Sequence, residues 1–182
     1  LTPSISQAGS QLLSFASTAA IASGIVAGTM FSIKAIQDYE TALASAQAIT
    51  GTTNEEFKAF KNQIELVATA TKKSSIDVAK AFEIIGSQQP ELLKNAAGLA
   101  AVTEAAITLS KASREDLESS ALSLTSVMNQ FSLSHDQAAR TMNVLAAGAT
   151  AGAATIADTS ESMKNFGSVA AGANVSLEES VA

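Results

Sequence analysis

The chain's single histidine, His135, and its paired carboxylates are where proton-transfer chemistry would have to start, and none comes with the partners such chemistry needs. A general base or activated nucleophile requires a second group within hydrogen-bond reach and a third to orient it. His135 follows Ser134 at the first position of an expected helix, with nothing nearby in sequence to play those parts, so it reads as a solvated surface imidazole. The pairs Glu55–Glu56 and Glu178–Glu179 fall in first helical turns, where the helix dipole alone favours carboxylates. The run Gly148 to Gly152 is rich in Gly and Ala, but no strand precedes it and no Lys follows, so it reads as a loop and not as a phosphate cradle. No metal-ligand spacing is present. With zero Cys there is neither a disulfide framework nor a thiolate site, and the redox compartment stays open. The expectation is no enzyme, no cofactor and no metal.

What the sequence does specify is helix starts. Ser113-Arg114-Glu115-Asp116, Ser134-His135-Asp136-Gln137, Thr155-Ile156-Ala157-Asp158 and Ser176-Leu177-Glu178-Glu179 each place a hydroxyl three residues before an acid or amide, at a constant spacing of 21 residues. That is the capping-box pattern, in which the hydroxyl accepts from the third helical N–H while the acid reaches back to the cap N–H. After the first three, apolar residues recur at helical spacing: Leu117, Ala121, Leu124, Met128; then Ala138, Met142, Leu145, Ala149; then Met163, Phe166, Ala170. Thr53 and Ser74, also 21 apart, carry the register upstream. Two arrangements fit: a repeated helical array with a shared packing surface, or an ordinary helical domain whose helices have similar lengths.

Taken in order, residues 1–33 carry no charge, and Leu12 to Ile33 reads as one long apolar helix rich in Ala, Ser and Gly. It is long enough for a bilayer at about 1.5 Å per residue, and Gly24 and Gly28 form a close-approach pair, but six hydroxyl residues make it polar for a lipid-facing span. Helices are then expected over Lys34 to Ile49, from Asn54 with Phe57, Phe60, Ile64 and Val67 inward, and from Ile76 with Val78, Phe82 and Ile85 inward. Pro90 marks the clearest break and suits a first helical position, so a longer helix is expected from Glu91 to Ser110. The expected breaks lie near residues 50, 73, 88, 111, 132, 152 and 173, with Gly148 to Ala154 as one of the joints. Nothing alternates with period two, so the expected fold is all-α: about eight helices, mostly short and amphipathic, in a hairpin or bundle arrangement behind a long apolar N-terminal helix.

Composition narrows the partners. Charged residues make up 15% and the net charge is −6, which leaves no basic footprint and excludes sequence-specific nucleic-acid binding as the main role. Aromatics are 4%, with no Trp, so large side chains for a thick core are scarce and close helix packing is favoured. Leu1 in place of Met, and a last helix of under two turns, are what a fragment of a longer protein would show.

Asp38-Tyr39-Glu40-Thr41-Ala42-Leu43, Gly86 with Pro90-Glu91-Leu92-Leu93-Lys94-Asn95, Leu99 to Ala106, and Asn129-Gln130-Phe131 form one ordered series of motifs. Asp136 to Arg140, Asn143 to Gly148, Gly167 to Ala171 and Val175 to Ser180 follow in order. On these residues the chain, from about Asp38 to Ala182, resembles the conserved region of phage tail tape measure proteins of the minor-tail family. The resemblance implies a long, mostly helical virion component whose chain length sets tail length. Such a protein lies in the tail tube lumen or tail tip, is released at genome ejection and then meets the host envelope. The partners implied are tail assembly chaperones, tail tube protein, tail tip or baseplate proteins, and the host membrane at ejection.

Two parts are therefore expected: residues 1–37 as an apolar oligomer-core or membrane-active segment, and residues 38–182 as the helical tape-measure region. Self-association into a low-order homo-oligomer, a trimer foremost, is expected through Gly24 and Gly28. Helix packing or an oligomer interface is expected at Leu117, Leu124, Met128, Met142, Leu145, Met163 and Phe166. The rival class is a membrane-active helical protein, a pore-former or toxin, acting through residues 12–33.

Overall fold

The chain's helix starts and stops recur at close to the expected interval. The computed structural model describes residues 33–152 and 155–181. Among them are eight α-helices, two 3-10 turns and no strand, as the all-α reading requires. The helices are α1 Ile33–Thr50, α2 Asn54–Thr71, α3 Ser75–Gln88, α4 Ala96–Ser113, α5 Leu117–Gln130, α6 Ala138–Ala151, α7 Ile156–Gly172 and α8 Leu177–Val181. The 3-10 turns, Pro90–Lys94 and His135–Gln137, precede α4 and α6. The expected apolar helix, all but its last residue Ile33, and the Gly24–Gly28 face lie outside the described residues. Among those described, no helix is long and apolar enough to cross a membrane.

Two of the four capping boxes form as the spacing predicts, and two do not. Thr155 accepts from the Asp158 N–H at 3.0 Å while Asp158 accepts from the Thr155 N–H at 3.0 Å, and Ser176 and Glu179 repeat the exchange at 3.2 and 3.0 Å. Ser113, by contrast, is the last residue of α4, and the cap of α5 is Asp116, which accepts from the Ser119 N–H at 2.8 Å. Arg114 stands between them in the left-handed region, so the chain has already turned before a Ser113 box could close. Ser134 precedes the second 3-10 turn and makes no side-chain cap, and α6 starts only at Ala138. The single helix expected from Glu91 to Ser110 is likewise split. Pro90 opens a 3-10 turn, and Asn95 caps α4 by accepting from the Gly98 N–H at 2.9 Å.

Five of the seven stops from α1 to α7 share one device, those of α3 and α6 being the exceptions. Gly51, Lys72, Arg114, Ser132 and Asn174 all have φ between 52° and 62°, each just beyond a helix. After α2, α5 and α7 the following N–H closes a six-residue ring onto the helix: Lys73 to the Ala68 carbonyl, Leu133 to Met128 and Val175 to Ala170, at 2.8 to 3.2 Å. These are Schellman stops, built here on non-glycine residues.

The helices pack in two rows. Each helix packs on the next but one: α1 on α3, α3 on α5 and α5 on α7 make one row, while α2 on α4, α4 on α6 and α6 on α8 make the other. Contacts between successive helices join the rows, with α1 and α2 touching only slightly. The chain is thus a two-row helical array whose structural unit is a helix pair, two of the expected 21-residue intervals.

The core lies between the rows and is filled by Phe57, Phe60, Ile64, Val78, Phe82, Ile85, Leu99, Val102, Ile107, Leu109, Leu124, Val127, Met128 and Leu145, all buried. Helix α4, touched by α2, α3, α5 and α6, exposes little beyond the strip Ala97, Ala101, Glu104, Thr108 and Lys111. Apart from Glu104 and Lys111 on that strip, it carries only apolar or small residues for that reason. Buried threonines are accommodated locally: the hydroxyls of Thr103, Thr125 and Thr141 donate to the carbonyl four residues back, at 2.8 to 2.9 Å. A chain so rich in Thr can therefore bury these hydroxyls without leaving them unpaired.

Candidate functional site

With a stacked array as the scaffold, the candidate site is its set of packing surfaces and the polar bridges that fix their register. Leu124 and Met128 on α5, Leu145 on α6 and Met163 on α7 are all 2% exposed or less, and Leu117 and Met142 are partly buried against the same core. These six are joined within one chain. Phe166, the seventh expected packing residue, is 41% exposed on α7. Gly24 and Gly28 lie outside the described residues.

The bridges connect helices of the same row and span nearly constant intervals of sequence. In the even row Lys111 of α4 donates to the Thr71 carbonyl at the end of α2, 40 residues away. Asn95 Nδ2 and His135 Nε2, also 40 apart, meet at 3.2 Å across the starts of α4 and α6. Arg140 of α6 grips Glu178 of α8 with two hydrogen bonds of 2.7 and 2.6 Å, 38 residues apart. In the odd row Gln89 Nε2 donates to Asn129 Oδ1 and Asn129 Nδ2 to the Gln88 carbonyl, both at 3.1 Å, joining the end of α3 to α5. Between α5 and α7 the Ala157 N–H donates to Glu115 at 3.4 Å, and the Ser160 hydroxyl approaches the Ser123 carbonyl at 3.5 Å.

His135, expected as a solvated surface imidazole, is a bridging residue. Its ring is held by Asn95 on one nitrogen and lies 3.1 Å from the Asp136 carboxylate on the other, with its side chain 31% exposed. Its role in this geometry is to link two helix starts. The expected loop over Gly148 to Gly152 is corrected. Gly148 belongs to the last turn of α6, and a Cβ there would collide with the Val181 side chain of α8, so the glycine allows α8 to close onto α6.

Charges follow the caps and bridges. Arg140 holds the Glu178 carboxyl below its ordinary range, and Glu178 in turn raises the guanidinium. Bonds from the Ser176 backbone and hydroxyl lower Glu179, those from the Thr155 hydroxyl and backbone lower Asp158, and the Ser119 N–H and hydroxyl lower Asp116. Burial, reinforced by the Glu65 carboxylate 3.4 Å away, pushes the Tyr39 phenol up. All of these are anchoring roles. Among the described residues no group of three or more His, Cys, Asp or Glu could hold a metal ion.

Sequence reasoning missed the bridges, although a signal for them exists. Gln88 and Gln89 recur against Asn129, and Asn95 against His135, at about twice the 21-residue interval. Comparing each helix with the next but one, in place of the next, would have paired them.

The comparisons fit this picture. A family model described as phage-related minor tail protein matches residues 61–182, from the middle of α2 through α8. A curated tape measure protein of Pneumococcus phage Dp-1 is 29% identical over 154 residues, which cover 83% of this chain and 13% of that protein. The chain therefore spans about an eighth of that relative's length. No solved structure matches.

Proposed function

The chain belongs to the phage-related minor tail protein family, a structural part of the phage tail, and from that premise we propose that it is a folded section of a tape measure protein. The observation that carries the reading is the family match over residues 61–182, joined by the likeness to a protein named for that role. In this reading the longer polypeptide sets tail length, occupies the tube lumen or tip and leaves at genome ejection. Tail assembly chaperones, tube protein and tip or baseplate proteins are its successive partners. Residues 38–182 are the tape-measure region that carries most of the array, and the segment 1–37, with Gly24 and Gly28, serves for contact between copies in a low-order homo-oligomer.

The net charge of −6 supports the lumen assignment, because an acidic surface does not grip a DNA backbone passing the same channel. The array also changes what this section contributes to length. As one continuous helix, the 39 residues Asp116 to Ala154 would extend about 58 Å. As one helix pair in the array they add about one interhelical distance, roughly 10 Å. This section is accordingly an anchoring or assembly module of the ruler, with most of the measured length supplied elsewhere.

Removing residues 61–182 in frame from the phage tests the role. Loss of tails, or tails of scattered length, is the expected outcome in electron micrographs. Tails normal in number and length would end the reading.

A further inference from the structure

The odd-row helices can be aligned on their caps, Ser74, Asp116 and Thr155. Five residues on stand Ala79, Ala121 and Ser160, and eight residues on Phe82, Leu124 and Met163, every one at most 2% exposed. These positions look back along the row, as the approach of Ser160 to the Ser123 carbonyl shows for α7 on α5. The positions four, seven and eleven residues after the cap behave differently. In α3 they are Val78, Ala81 and Ile85, and in α5 Ser120, Ser123 and Val127, all buried. In α7 they are Thr159, only partly buried, and Ser162 and Phe166, both exposed.

Those α7 positions form one wall of an open groove, completed by Asp158 and Met163 of α7, by Gly148 of α6 and Gly152 just beyond it, and by Ser180 and Val181 of α8. Val169, 70% exposed, continues the same face where α3 and α5 carry Gln88 and Gln130. The opposite end of the row is finished differently. Helix α1 turns Gln37, Asp38, Glu40 and Thr41 to solvent, a polar face of the kind that closes a repeat stack.

We infer that the α7 groove is the seat of a further odd-row helix of the same polypeptide, lying on α7 as α7 lies on α5. The interface is continuous with the α3–α5 and α5–α7 contacts, and the intervals of 42 and 39 residues between caps place the incoming cap about forty residues after Thr155. The seated helix carries a small residue five positions after its cap and a large apolar one eight positions after it. A second copy does not supply such a face: in α3, α5 and α7 those positions are already buried within the copy's own row. A copy approaching by α1 would bring Asp38 and Glu40 toward Phe166 and Val169.

The test places a photoactivatable benzoylphenylalanine at position 166 of the full-length tail protein. Irradiation should yield a cross-link within one chain, mapped by mass spectrometry to a helix whose cap lies about forty residues beyond Thr155. Cross-linking to a second copy or to another tail protein, or no protein adduct at all, would overturn the inference. A second variant, Phe166→Glu, reads the same contact by hydrogen exchange. Helices α1 to α6 should keep their protection while the seated helix loses it, and unchanged protection of that helix would also overturn the inference.

Discussion

Three residues hold a backbone conformation that their own side chains disfavour: Lys72, Arg114 and Ser132 stop helices at φ between 52° and 62°, as does Asn174, whose side chain tolerates it. A Cβ makes the left-handed region costly, and glycine removes that cost. Arg114→Gly should therefore stabilise the array by about 1 kcal/mol, read as a rise of about 2–4 °C in the thermal midpoint, whereas Arg114→Val should lower it. Acid gives a second residue-scale expectation. Asp158, Glu178 and Glu179 have folded-state pKa values below their ordinary ones, so their stabilisation is present above the unfolded values, near 4, and is lost as pH falls through the folded ones. All three anchor α7 and α8. Hydrogen exchange between pH 5 and 2 should show these two helices losing protection ahead of α4, and simultaneous loss would count against that assignment. At this scale the sequence was half legible. Thr155 and Ser176 cap as their spacing indicates, but Ser113 and Ser134 have the same pattern without the bond. An alternative cap at Asp116 wins in one case, and a 3-10 turn displaces the helix start in the other.

At the scale of elements the same contrast becomes a measurement. Thr155→Ala removes the hydroxyl half of a formed capping box, leaving only the Thr155 N–H to the Asp158 carboxylate, and should cost about 1 kcal/mol, whereas Ser134→Ala removes no side-chain cap bond and should leave urea midpoints nearly unchanged. Equal effects would mean that the two starts are equivalent after all. Helix number and the apolar face of each helix were readable because three- and four-residue spacing reports burial directly. The partner of each face was not. Leu124 and Met163 look alike as inward residues of two amphipathic helices, and nothing local says that α7 bypasses α6 to lie on α5. The stacking order is settled by long-range contacts such as those of Asn129 with Gln88 and Gln89, which depend on the whole row being in place. Gly148 was misread as a joint for the same reason, since its purpose appears only once Val181 lies against it.

For the whole molecule, the central question is whether the row contacts persist in the assembled tail or give way to an extended rod. The chain has zero Cys, so introduced pairs report without background. Ser123 and Ser160 are buried and near-isosteric with Cys, and the Ser160 hydroxyl lies 3.5 Å from the Ser123 carbonyl across the α5–α7 interface, at a separation of 37 residues. In one continuous helix the same two residues would stand about 55 Å apart, far beyond disulfide reach. Phage carrying Ser123→Cys and Ser160→Cys, oxidised as intact particles and analysed under denaturing non-reducing conditions, measures the difference directly. The array predicts an intramolecular disulfide, seen as a reducible mobility shift of the single chain. Free thiols throughout, or disulfides only between chains, would show that this region is not folded as a two-row stack in the tail.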